Sequence, residues 1–205
     1  MKMKTTINYI LSIILALTIT SCGKKENTEN NTGKLKVGLV FDVGGRGDKS
    51  FNDAAYRGLE KAKQELGIEF EYIEPGPGAD REAALRQFSS RKDIAIIFGI
   101  GFIFTDEITK IAQEFPDKKY ACVDYTVDPS KTIPPNLVAL EFREEEGSFL
   151  VGAIAGLMTK SNKVGFVGGM ESPLIKKFQV SYEAGVKHVN PNGTILIGYA
   201  GVTGH

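Results

Sequence analysis

Apolar, β-branched runs recur along the chain at 35–43, 68–73, 94–100, 120–126, 137–142, 163–167 and 194–199, each bounded by Gly, Pro or Asp. Such runs predict buried strands. Between them the apolar period lengthens to three and four. Phe51, Ala54, Ala55, Leu59, Ala62 and Leu66 follow it, as do Phe104, Ile108, Ile111, Ala112 and Phe115, and then Ile175, Phe178, Tyr182 and Val186. These are helix stripes. Gly67 is placed to stop the first and Pro116 the one ending at Phe115. Strand and helix in turn predict an α/β fold with a Rossmann-like parallel sheet covered on both faces.

Two segments depart from that rhythm. Residues 148–158 (SFLVGAIAGLM) are apolar all round. That is too short for a bilayer, so a helix buried in protein is expected, with Glu144, Glu145 and Glu146 at its positive end and Ser148 as a cap. Residues 128–135 (DPSKTIPP) are Pro-rich and aperiodic, a loop leading to the 137–142 strand and then to a second lobe. The N-terminus reads as an address. Lys2 and Lys4 precede a short apolar run, and Ile19-Thr20-Ser21-Cys22 is similar to a bacterial lipobox. Residues 1–21 are expected to be removed as a signal peptide, leaving Cys22 as a lipidated N-terminus. Acyl chains on Cys22 would anchor the protein to a membrane, and residues 22–34 would form a solvated tether.

The chain has 205 residues, with 25 Lys+Arg against 25 Asp+Glu, 42% apolar residues and only two Cys and two His. Zero net charge argues against nucleic-acid binding. Two Cys and two His argue against a structural zinc site. No metal or cofactor is expected. Cys122 lies in an apolar run and is assigned no chemistry.

Ligands of open α/β sheets bind beyond the carboxyl ends of the strands. Three segments lie there: 42–52, 124–125 and 168–170. The first carries Lys49-Ser50, but Asp48 and Val43 stand where a phosphate loop needs Gly, so nucleotide hydrolysis is not expected. Arg46-Gly47-Asp48 is an adhesion-like tripeptide of little weight. His188 reads as a surface residue late in a helix, and no Gly-x-Ser-x-Gly elbow occurs. Asp42, Asp48 and Asp124 with Asn52, Phe51 and Phe178 suit a neutral, donor-rich, partly flat ligand such as a nucleoside. The alternative is that Phe51 and Phe178 are core residues at helical spacing, and composition alone favours that alternative.

At these positions the sequence resembles the basic membrane protein family, also called purine nucleoside receptors: lipid-anchored substrate-binding proteins of ABC importers. The stretches that carry the resemblance are VGLVFDVGG (37–45), DKSFNDAAYRGL (48–59), GFIFTDEITKIAQEFPDKKYACVD (101–124), EEGSFLVGAIAGLMTKSNKVGFVGGMESPLIKKF (145–178) and YEAGVKHVNP (182–191). The resemblance implies two Rossmann-like lobes of the periplasmic-binding-protein type, hinged around a cleft. It implies that Asp42 and Asp124 accept hydrogen bonds from the ligand, Phe51 and Phe178 sandwich its base, Asn52 meets the base edge, and Gly169 and Met170 present backbone. It also implies a purine nucleoside ligand, an ABC permease partner and an extracytoplasmic, membrane-anchored location.

The expected organisation is a signal peptide (1–21), a tether (22–34), an N-terminal β/α lobe (35–142) and a partial second lobe (143–205). Gly47 and Ser181 depart from the family pattern, and family members run much longer. A C-terminally truncated second lobe with weak or no ligand affinity is therefore expected. The rival expectations are a surface lipoprotein antigen or adhesin without transport role and a nucleoside-cleaving enzyme.

Overall fold

Lys36–Val40 (β1) is apolar after its first residue, and its last four residues are buried, as a strand covered on both faces must be. In the computed structural model it lies second in a five-stranded parallel sheet. The residues described are 33–76 and 80–201, so the predicted leader, Cys22 and the tether up to residue 32 lie outside them. Glu69–Ile73 (β2) flanks β1 at the sheet edge, followed on the other side by Ile96–Ile100 (β3), Lys119–Val123 (β4) and Leu137–Leu140 (β5). Register is continuous: Val37 faces Phe70 on one side and Ile96 on the other.

Helices connect the strands. Phe51–Leu66 (α1) ends where Gly67 takes a left-handed φ of 68° and returns its N–H to the Lys63 carbonyl at 3.1 Å. That geometry suits glycine, and the stop is the one its sequence predicts. Arg81–Ser89 (α2) is capped by the Asp80 side chain accepting from the Ala83 N–H, at 3.1 Å. A turn of 3₁₀ helix at Phe102–Phe104 leads into Thr105–Glu114 (α3).

The β1–β2 connection runs one way from β1, and the β2–β3 connection crosses back past it. On one face α2 and α3 bury Leu85, Phe88, Ile97, Phe104, Ile108, Ile111 and Tyr120 almost completely. Full burial of such side chains stabilises the fold by about 1.5–3 kcal/mol each. Tyr120 keeps its hydroxyl satisfied at 2.8 Å from the Ser89 Oγ. On the other face α1 packs Leu59 and Phe51 against Val37, Leu39 and Ile100. This cover is partial. A groove of about 360 Å³ runs from Leu35 and Leu66 to Phe98 and Val123.

Lys163–Gly168 (β6) and Thr194–Tyr199 (β7) form a separate two-stranded parallel sheet, in register from Lys163↔Thr194 to Gly168↔Tyr199. Glu144–Met158 (α4) and Pro173–Val189 (α5) pack against each other beside it. Here the expectation of a fully buried α4 is corrected. Its buried residues are Ser148, Gly152 and Gly156, a stripe of small side chains that seats α4 closely on α5. Leu150, Val151, Ile154, Leu157 and Met158 face outward and are 59–74% exposed. A run apolar all round cannot show which side its neighbour will take. Ser148 does not cap the helix either. It is the fifth residue of α4, and its Oγ donates to the Phe178 carbonyl of α5 at 2.6 Å.

Candidate functional site

The sheet order sets the site. The connections from β1 run to opposite sides, first to β2 and then back past β1 to β3, and crevices open at the carboxyl ends of strands at such a switch point. Three residues follow the ends of the adjacent strands β1, β3 and β4: Asp42, Gly101 and Asp124. Gly101 has a φ of 108°, and a Cβ there would lie 2.5 Å from an Asp42 carboxylate oxygen. Asp42 can reach this rim because Gly101 has no side chain. Its other oxygen accepts the Val43 N–H at 2.6 Å. Burial pushes the Asp42 carboxyl above the usual range, against the opposing pull of the Val43 N–H and the Arg81 charge.

Asp124 takes a left-handed φ of 57°, a conformation that aspartate tolerates better than most residues. Its N–H donates to the Leu140 carbonyl at 2.8 Å, so β5 fixes the turn. Burial, then the charges of Glu144 and Asp42, raise its carboxyl as well. Two half-buried carboxylates of raised pKa at one rim resemble the perturbed groups that gather at functional sites.

A cavity of about 450 Å³ opens beside Asp124, and Asp42 is not among its lining residues. Phe51, Ala54, Ala55, Ile100, Val123, Asp124, Phe142, Glu144 and Phe178 line it. Two phenylalanines from distant parts of the chain thus meet one space, with Asp124 at its edge. Phe51 is the first residue of α1 and is half-buried, packed on one side against the sheet. Phe178 projects from α5, where Ser148 holds its backbone carbonyl.

The remaining candidates sit differently. Asn52 is 3% exposed, and its side-chain oxygen accepts the Asp42 N–H at 3.1 Å. That bond ties the first turn of α1 to the end of β1 and leaves the amide NH₂ as its donor. Gly169 and Met170 follow β6 and lie outside the residues lining the cavity. The Gly169 carbonyl accepts the Gly201 N–H at 3.0 Å.

The loop between β1 and α1 explains why phosphate chemistry is out of place. Asp48 accepts from the N–H groups of Ser50, Asn52 and Asp53 at 2.9, 2.8 and 3.1 Å. Its carboxylate occupies the helix N-terminus where a phosphate would sit. These bonds, that from Ser50 foremost, hold its carboxyl below the usual range. Asp53 in turn accepts from Gly47 and Lys49 at 3.0 Å each. Arg46 stacks 3.6 Å over the Tyr56 ring. The Arg46-Gly47-Asp48 tripeptide is therefore folded onto its own loop. Cys122 is fully buried, and burial pushes its thiol up to about 12. Among the described residues no cluster of His, Cys, Asp or Glu could hold a metal ion.

Six of the nine lining residues are not legible as site residues from the sequence, and of these Phe142 and Glu144 bring an aromatic ring and a carboxylate. In the sequence Phe142 reads as the end of a strand and Glu144 as helix-dipole charge. Phe142 carried a signal all the same, being an aromatic just before the acidic start of an apolar helix.

The same residues can be placed among known proteins. A family model described as ABC transporter substrate-binding protein PnrA-like, Bmp, matches residues 35–204. A CD4+ T-cell-stimulating antigen of Listeria innocua is 36% identical over 209 aligned residues, covering 96% of this chain and 57% of the relative. Basic membrane protein A of Borreliella burgdorferi is 38% identical over 200, covering 95% and 56%. A crystal structure of an ABC transporter solute-binding protein from Aeropyrum pernix K1 superposes with a TM-score of 0.73 at 32% identity, over 82% of this chain and 48% of that one. The chain spans about half the length of the relatives it matches.

Proposed function

Because this chain belongs to the Bmp family of PnrA-like ABC transporter substrate-binding proteins, we propose that it is a lipid-anchored, extracytoplasmic solute-binding protein of an ABC importer, with a purine nucleoside as its ligand. It binds and releases, and does no covalent chemistry. The observation that carries this reading is the cavity shared by Phe51 and Phe178 with Asp124 at its edge. Two aromatic side chains lining one cavity favour a flat heterocycle. Carboxylates accept hydrogen bonds from ribose hydroxyls or ring N–H groups, and no group in the cavity supplies the positive charge that a phosphate would need.

In this reading the chain forms two lobes joined after Phe142. A ligand that contacts both favours the closed arrangement, and the closed form docks on a permease. Cys22 carries the anchor.

Isothermal titration with inosine, guanosine and adenosine tests the ligand, on this chain and on a relative of full family length. Phe51→Ala in that relative is expected to abolish binding while leaving its circular dichroism unchanged. Unaltered affinity would remove Phe51 from the site, and absence of heat with all three nucleosides would overturn the ligand assignment. Ribose release by the pure protein would point instead to an enzyme.

A further inference from the structure

Phe142 lines the cavity with Phe51 and Phe178, yet the residue is 58% exposed and belongs to neither core cluster of the described residues. Its backbone is what holds it. The Phe142 N–H donates to Glu144 Oε1 at 3.2 Å, and its carbonyl accepts from Lys177 Nζ at 3.1 Å. Lys177 and Glu144 also bond each other at 2.6 Å. Both ends of one residue are thus closed into a ring of three partners. Glu144 is the first residue of α4, and Lys177 comes from α5, next to Phe178. Glu145 stands 3.1 Å from the same Nζ as a second counter-charge. A smaller cavity of about 130 Å³ beside the clamp is lined by Asp124, Glu141, Glu144 and Lys177. The lysine there shares the space with acidic groups from two stretches of the chain, 124 and 141–145.

We propose that Phe142 is a third aromatic wall of the ligand cavity and that Lys177 and Glu144 are its positioning residues. This rests on the reading that the cavity takes a planar ring. Phe178 and Lys177 are neighbours on α5, so one movement of that helix shifts two of the three rings together. The clamp thereby couples the placement of α5 to the shape of the cavity. A loose Phe142 would pay its ordering entropy on binding, whereas a clamped one has its backbone fixed beforehand.

The chain contains no tryptophan, so Phe142→Trp gives a single fluorescent reporter at this wall. Without ligand, adding Lys177→Met to that variant is expected to raise acrylamide quenching of the indole about two-fold, and Lys177→Arg to restore it. Equal quenching in all three proteins would overturn the clamp. With inosine and free hypoxanthine as probes, Phe142→Ala is expected to weaken binding roughly ten-fold, the scale of one lost aromatic contact, while Phe142→Tyr stays within about two-fold. Inosine binding that is lost in Phe51→Ala but kept in Phe142→Ala would overturn this proposal and leave the nucleoside reading intact. Phe142-dependent binding of hypoxanthine without any binding of nucleosides would do the reverse. Binding of neither probe by this chain or by a relative of full family length would overturn both.

Discussion

Two glycines of one helix should respond to alanine in opposite directions. At Gly152 of α4 an added Cβ would lie 2.8 Å from the Tyr182 carbonyl carbon of α5 and 3.0 Å from its Cα. Carbon pairs settle at about 3.5–4.0 Å, so the two helices must part by nearly ~1 Å. The facing Gly185 has the mirror problem, its Cβ falling 2.8 Å from the Ala153 nitrogen. Neither obstacle is a side-chain tip that could swing away. Overpacking of this kind costs about 3 kcal/mol, and the helix propensity of alanine returns about 1, for a net loss of about 2 kcal/mol in Gly152→Ala. Gly147 lies in the same helix with nothing near its Cβ position. Gly147→Ala should gain about 0.5 kcal/mol from propensity alone. Urea unfolding followed by circular dichroism reads both. At a slope of about 2 kcal/mol per molar, Gly152→Ala lowers its midpoint by about 1 M, and Gly147→Ala raises it slightly. Because Ser148 bonds the Phe178 carbonyl across this interface, Gly152→Ala should also weaken any ligand that touches Phe178. Equal midpoints for the two variants would refute the close-packing argument.

Gly101→Ala combines a φ of 108° with a Cβ 2.5 Å from Asp42; it should cost about 2 kcal/mol, and Asp42→Ala in the same chain should recover part of that in a double-mutant cycle. Asp48→Ala removes the acceptor for three backbone N–H groups at the start of α1 and should lower the urea midpoint, whereas Asp48→Asn should lower it less. Arg91, then Lys36, hold the Glu71 carboxyl down to about 2 from its ordinary 4.5. The stability this contributes is complete above pH 4.5 and is lost as pH falls towards 2, so Glu71→Gln should flatten the acid limb of a stability–pH curve. Burial raises Asp42 and Asp124 instead. If both accept bonds from the ligand as carboxylates, affinity should begin to fall at a pH above the ordinary aspartate range, and titrations across pH 4–7 would show it.

The residues that proved hardest to read share a feature. α2 carries no clear apolar stripe, because Arg81, Glu82, Arg86 and Gln87 surround Ala84, Leu85 and Phe88; its amphipathic pattern is short and mostly polar. Asp48 reads in the sequence as an obstacle in a phosphate loop and, from two residues before the Ser50 N-cap, accepts N–H groups of the first turn of α1. Asn52 looked like a ligand contact and spends its oxygen on Asp42. In each case the sequence shows the group, and its partner depends on how the chain turns.

Periodicity alone locates the seven strands of the described residues and the stripes of α1, α3 and α5, because a buried strand or an amphipathic helix must show its period locally. The motifs at Asp42, Phe51 and 145–178 likewise carry the family resemblance in the sequence itself. Tertiary structure decided which groups share a space. Phe51, Phe142 and Phe178 converge from 127 positions of chain (178 − 51) on one cavity, and α4 turns its small residues inward and its large ones out. Long-range pairing and helix facing depend on the summed packing of distant elements, and no local pattern encodes that sum.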